Sequence, residues 1–168
     1  MKAPTTRKAQ KEDLPSILDI LNEEILHGTS VYDYKPKTLA EISNWYEEKL
    51  AIGFPLLVAV INDKVQGYAT YGFFRPREGY RFTIEHSVYL KKSAQGNGVG
   101  RVLGEELIPL AKDHGMRNMI GVVDASNQGS CTFHEKMGFK EAGRLKNAGF
   151  KFDRWLDVVF YQLDLTDG

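Results

Sequence analysis

Gln95-Gly96-Asn97-Gly98-Val99-Gly100-Arg101 stands between an apolar stretch ending at Leu90 and a segment whose residues Val99, Val102, Leu103, Leu107, Leu110 and Ala111 share one helical face. Where a strand passes into a helix through glycines, bare backbone N–H groups and the positive helix end together make a site for an anion. Glycine has no Cβ, so the chain can turn tightly and lie close to a phosphate, and Arg101 adds a charged donor. A dinucleotide fingerprint would carry its third glycine one residue later, open a βαβ unit and show an acidic residue about 20 positions on. A P-loop would end in Gly-Lys-Ser/Thr. Neither pattern is present, and alternating glycines alone also suit a purely structural turn.

Working outward from the turn, a strand is expected from about Arg81 to Leu90. Before it, Leu56–Ile61 and Val65–Phe73 flank Asn62-Asp63-Lys64 as an antiparallel hairpin, with Gly67 marking a bulge. Two helices precede the hairpin. The first has Asp13 as its N-cap, carries Leu14, Ile17, Leu18, Leu21 and Ile25, and ends near His27. The second opens on the capping box Thr38/Glu41, carries Leu39, Ile42, Trp45 and Leu50, and closes at Gly53 and Pro55. After the glycine turn and its helix, which Gly115 stops, come a strand at Met119–Val123 and a helix from Asn127 to Met137. Two further strands follow at Phe139–Leu145 and Trp155–Leu165. The order helix, helix, three strands, helix, strand, helix, two strands reads as one mixed α/β layer structure without repeats or linkers.

The 168 residues fit one domain, 1–168, because domains commonly run about 100–150 residues. Apolar residues make up 42% of the chain, enough for an ordinary core. Basic and acidic residues both number 22, so no overall field favours nucleic acid or an acidic membrane. The longest apolar run, Phe54–Ile61, contains Pro55 and is far short of the roughly 20 residues of a membrane helix. The single cysteine, Cys131, excludes an internal disulfide and reads as a small buried thiol. Met1–Arg7 lacks the apolar segment of a secretory signal, and a cytoplasmic location is expected.

Gln95, Gly98 and Gly100 match the pattern Gln/Arg-x-x-Gly-x-Gly/Ala at the start of a helix. A second stretch, Asn127-Gln128-Gly129-Ser130 followed by Phe133-His134-Glu135-Lys136-Met137-Gly138-Phe139, stands downstream in the matching order. On these two motifs the chain resembles the GNAT acetyltransferase superfamily. The resemblance implies the GNAT fold, a mixed, mostly antiparallel central sheet with helices on both faces, and acetyl-CoA as acetyl donor without a metal. It further implies that Gln95, Gly96, Asn97, Gly98, Val99, Gly100 and Arg101 hold the coenzyme pyrophosphate. Val88, Tyr89 and Leu90 would pair with the pantetheine arm, and Asn127 and Ser130 would make further cofactor contacts.

Acetyl transfer to nitrogen needs a neutral amine, a stabilised oxyanion and a proton for the departing thiolate. Glu85 lies on the strand that leads to the turn, so it is the candidate base. A free Glu ionises near 4.3, so burial or a relaying water must assist it. A backbone N–H between Val88 and Leu90 is the candidate oxyanion donor. The superfamily commonly has a Tyr as the thiolate's acid where this chain has His134, which becomes the candidate acid.

Arg75-Pro76-Arg77, Tyr80 and Thr83-Ile84-Glu85-His86-Ser87-Val88-Tyr89 are similar to the central motif of the phosphinothricin and methionine sulfoximine (methionine sulfone) N-acetyltransferase group. His134-Glu135 and the closing Gly149-Phe150-Lys151 and Trp155-Leu156-Asp157 also match it. The resemblance implies a small amino acid acceptor contacted by Arg75, Pro76, Arg77, Glu85, His86 and Ser87, and a homodimer. Two guanidinium groups suit a carboxylate or oxyanion, and Tyr32 and Tyr34 are candidate walls of the same pocket. Acetylation of a protein N-terminus or a polyamine is the alternative within the superfamily. Coenzyme A binding without turnover, or a nicotinamide oxidoreductase, is the alternative outside it.

Overall fold

The computed structural model describes residues 2–166. It opens on β1, Thr5–Lys8, a polar strand with no apolar alternation, revealed only by its antiparallel pairing with β2, Leu56–Ile61. Asp13 is not a side-chain cap. Its carboxylate accepts from both Arg7 Nη atoms at 2.6 and 2.8 Å and from Gln10 N at 2.8 Å, and its backbone is already helical. The guanidinium fork offers two charged donors, which outcompete the helix N–H groups for the same oxygens. Helix α1 therefore runs Leu14–His27 with Pro15 in its first turn, where a missing N–H costs nothing. Helix α2, Leu39–Ile52, has the expected capping box, with Glu41 N donating to Thr38 Oγ1 and Thr38 N to Glu41 Oε2.

β2 turns through Asn62 and Asp63, both left-handed, into β3, Lys64–Phe73. The register slips between Ala59↔Gly67 and Val60↔Val65, leaving Gln66 as the extra residue beside Gly67. A Cβ on Gly67 would also stand 2.5 Å from the Leu90 side chain, so the glycine serves close strand packing as well as the bulge. β4 is Thr83–Leu90, shorter than expected because Glu78–Tyr80 forms a 3₁₀ turn and Arg81 stays helical. Helix α3, Val99–Asp113, β5, Asn118–Asp124, and helix α4, Gln128–Lys136, follow. β6, Lys140–Lys151, and β7, Arg154–Asp164, complete the chain. β6 runs six residues past the expected end at Leu145, because two register shifts and left-handed Asn147 erase its alternation.

The seven strands lie in the order β1-β2-β3-β4-β5-β7-β6, antiparallel except for the β4–β5 pair. Both faces are covered. Leu57, Ala59 and Ile61 of β2 pack with Leu103 and Leu107 of α3, while Leu56 and Val58 pack with Ile17 of α1 and Ile42 of α2. That two-sided burial explains the unbroken apolar run of β2. No helix among the described residues is long and apolar enough to cross a membrane.

Candidate active site

The site begins where two strands part. β4 and β5 pair only at Thr83↔Asn118, Ile84↔Met119 and Glu85↔Ile120, yet β4 continues to Leu90 and β5 to Asp124. From His86 to Leu90, the edge of β4 that faces β5 has no strand beside it. Unpaired main-chain groups at such an edge are a template for an extended ligand.

A cleft of about 530 Å³ fills this gap, lined by Val88, Tyr89, Leu90, Gln95, Gly96, Gly98, Val99, Gly100, Arg101, Asn127 and Ser130 among others. Of the residues expected around the coenzyme, only Asn97 is outside that lining, its amide donating to Ser93 O at 3.3 Å. Gly96 and Gly98 both have φ of +77°, the left-handed backbone that L side chains avoid. The first-turn N–H groups of α3 have no carbonyl ahead of them within the helix, and Val102 N is the one that reaches back to Gly98 O. A Cβ at Gly100 would meet Phe133 at 3.4 Å, an ordinary van der Waals contact, where α3 and α4 approach. Bare amides, a helix N-terminus and exposed Arg101 fit a diphosphate, and the open β4 edge fits a linear amide-bearing arm.

Strand alternation sorts β4. Ile84, Val88 and Leu90 pack on the α3 side, and Tyr89 on the α1–α2 side. Glu85, Ser87 and Tyr89 line a second cavity of about 480 Å³ with Trp45, Lys49, Tyr68 and Thr70. Ser87 and Tyr89 line both spaces, so the two meet across β4. Burial pushes the Glu85 carboxyl above the usual carboxylate range, and nearby Arg75 partly offsets this.

The residues expected to contact the acceptor are divided between the two spaces and the surface beside them. His86 faces the coenzyme side, because adjacent strand residues point to opposite faces, and it does not line the cavity of Glu85. Arg75, Pro76 and Arg77 are exposed and line neither space; Arg75 stacks on the Phe74 ring at 4.3 Å. Tyr32 and Tyr34 also stand outside, Tyr32 over Gly149 and Tyr34 donating to Phe150 O. Their loop neighbours Val31 and Asp33 line the cavity of Glu85.

His134 is buried with both ring nitrogens engaged. Nδ1 lies 2.7 Å from Ser130 O, an acceptor only, so Nδ1 carries the proton; Nε2 lies 2.8 Å from His86 Nε2. A neutral His134 therefore accepts from His86. Its ring stacks on Tyr161 at 5.2 Å and 18°, and Gly121 provides the room, since a Cβ there would stand 2.4 Å from His134 Nε2. Burial, then His134, holds His86 down at about 3, and burial lowers His134 as well. Asn127 caps α4 by accepting from Ser130 N at 3.1 Å, and Cys131 is buried inside that helix. The described residues bring no three His, Cys, Asp or Glu side chains together as a metal set.

A diphosphate-ready turn, an open strand edge and a carboxylate at the junction of two cavities together define an acyl-coenzyme A N-acyltransferase. Residues 6–160 match the family model described as the acetyltransferase (GNAT) domain, and the chain belongs to that family of acetyl-CoA-dependent enzymes. It is 39% identical over 160 residues to the L-methionine sulfoximine/L-methionine sulfone acetyltransferase of Pseudomonas aeruginosa, covering 95% of this chain and 93% of that one. It is 40% identical over 167 residues to the phosphinothricin N-acetyltransferase of Alcaligenes faecalis, covering 99% and 85%. A GNAT phosphinothricin acetyltransferase from Sinorhizobium meliloti, solved with acetyl-CoA, superposes with a TM-score of 0.95 at 37% identity, over 99% of this chain and 91% of that one.

Proposed function

We propose that residues 1–168 act as one domain that acetylates the α-amine of a small amino acid carrying a sulfone, sulfoximine or phosphinate head. The observation that carries this reading is the placement of Glu85 in a half-enclosed cavity that meets the coenzyme cleft across β4. The sizes of the two spaces suit a single small acceptor, and the names of the relatives point to the same chemistry. Acetyl-CoA supplies an activated acetyl thioester when bound. Gln95, Gly96, Gly98, Val99, Gly100 and Arg101 hold its phosphates, and the free edge of Val88–Leu90 orients its arm; Asn127 and Ser130 border the same cleft.

Glu85 takes the proton of the acceptor's ammonium, and its desolvated carboxyl is a stronger base than a free one. Tyr89 and Ser87 position the acceptor at the crossing point. The engagement of both His134 nitrogens supports a role in shaping the cleft wall together with His86, in place of the acid role expected from sequence. Arg75 tunes Glu85 from outside the cavity.

A thiol-release assay with acetyl-CoA tests the reading. Methionine sulfone, methionine sulfoximine or phosphinothricin should exceed polyamines and peptide N-termini in kcat/KM by at least about tenfold, the scale of one well-placed charged hydrogen bond. A preference for peptides or polyamines overturns it. We further infer a cytoplasmic homodimer: Leu145, Phe150, Phe152 and Trp155 leave apolar surface exposed on β6, β7 and their turn, which supports coverage by a second copy.

A further inference from the structure

Lys49, near the end of α2, points its ammonium into the cavity of Glu85. Its Nζ donates to Tyr71 O at 2.5 Å and lies 5.7 Å from the centres of the Trp45 and Phe54 rings. One carbonyl uses one of three donors. Among the described residues no carboxylate comes within ion-pair distance of it, whereas Lys37, the other lysine of this cavity, is paired with Asp33 at 3.4 Å. A half-buried cation without a counter-charge is costly, and burial lowers its proton affinity to about 8, which still leaves it charged near neutrality.

The register places this cation opposite the base. Gly72 of β3 is the Cα partner of Glu85, and a Cβ on Gly72 would stand 3.5 Å from Lys49 Nζ. Cβ positions facing each other across an antiparallel pair are about 4.5–5.5 Å apart. The ammonium therefore sits over the place facing the Glu85 side chain, on the same side of the sheet. The absence of a side chain at Gly72 leaves open space between them. An α-amino acid has its amine and its carboxylate on one carbon, so it can present the amine to Glu85 and the carboxylate to Lys49 across that gap.

We propose that Lys49 is the anchor for the acceptor's α-carboxylate, which makes it a specificity-determining residue of this enzyme. The inference rests on the amino acid reading above. It adds a lysine of α2 to the acceptor contacts that the family resemblance implies for Arg75 and Arg77.

The test crosses a protein change with a substrate change. Thiol release by the full chain is measured with methionine sulfone and with its decarboxylated amine, using wild type, Lys49→Met and Lys49→Arg. Lys49→Met should lower kcat/KM for methionine sulfone roughly 10- to 100-fold, mainly through KM, as expected for loss of a charge-assisted bond. The decarboxylated amine and acetyl-CoA should keep their values within about twofold. Lys49→Arg should recover part of the loss. Equal losses with both acceptors would show a structural role, and no loss with methionine sulfone would show no role; either overturns the assignment. If Lys49→Met does not fold, Lys49→Gln replaces it under the same criteria. A wild type that turns over polyamines or peptides but no amino acid defeats the proposed function itself, a result visible before any variant is made.

Discussion

Glu85→Gln is expected to reduce kcat by about 10²- to 10⁴-fold, the usual contribution of a positioned base, while acetyl-CoA still binds with unchanged affinity. The amide matches the carboxylate in size and cannot accept the ammonium proton, so the loss falls on chemistry. Binding is spared because the coenzyme cleft is built from α3, α4 and the Val88–Leu90 edge, and Glu85 does not line it. The pH profile gives a second signature. Burial raises the Glu85 pKa, so the active carboxylate form is lost as pH falls through that raised value, and kcat/KM should drop on the acid side. In Glu85→Gln that acid limb should disappear. A variant with wild-type turnover, or with the same acid limb, would falsify the assignment of the base.

Lys151→Met is expected to destabilise the fold by about 2–4 kcal/mol, which for a chain of this size lowers Tm by roughly 5–15 °C. Only 3% of Lys151 is exposed, and its Nζ donates to Gly28 O at 2.7 Å, Val31 O at 2.6 Å and Glu24 O at 3.5 Å. These carbonyls include the open end of α1, where a cation also answers the helix dipole. Methionine keeps the apolar stem and removes all three donors. The loop from Gly28 to Lys37 then loses its ammonium anchor to β6 and keeps Thr29 Oγ1 to Asp124 Oδ2, Tyr34 to Phe150 O, Ser30 N to Glu24 Oε1 and the Asn22 side chain on Lys37 as ties. Because Val31 and Asp33 line the acceptor cavity, acceptor KM should rise as well. Thermal unfolding and steady-state kinetics measure the two effects; an unchanged Tm would mean that the buried ammonium contributes no net stability.

The helices and inner strands were legible because periodicity and caps agreed. Thr38 and Glu41 announced α2, and the apolar face of α3 announced the partner of the sheet. β1 was hidden because a short polar strand carries no pattern of its own, and the far half of β6 because register shifts break alternation. Gly96 to Arg101 could be placed from sequence because glycine spacing is local. Lys49 could not, since one lysine on a helix says nothing about which sheet position it will face until β3 and β4 pair. Strand alternation sends His86 to the opposite side of β4 from Glu85, so of these two residues implied by the family resemblance only Glu85 lines the smaller cavity.

The early parting of β4 from β5 has a thermodynamic consequence. If the coenzyme arm pairs with the open edge as proposed, the ligand finishes the sheet and supplies part of its rigidity from outside the chain. Those amides between His86 and Leu90 that face the gap, and not the alternate ones turned toward β3, should exchange with deuterium faster in the free protein than in the loaded one. At a hundredfold excess over Kd, the coenzyme should deepen the folded well by about 2.7 kcal/mol.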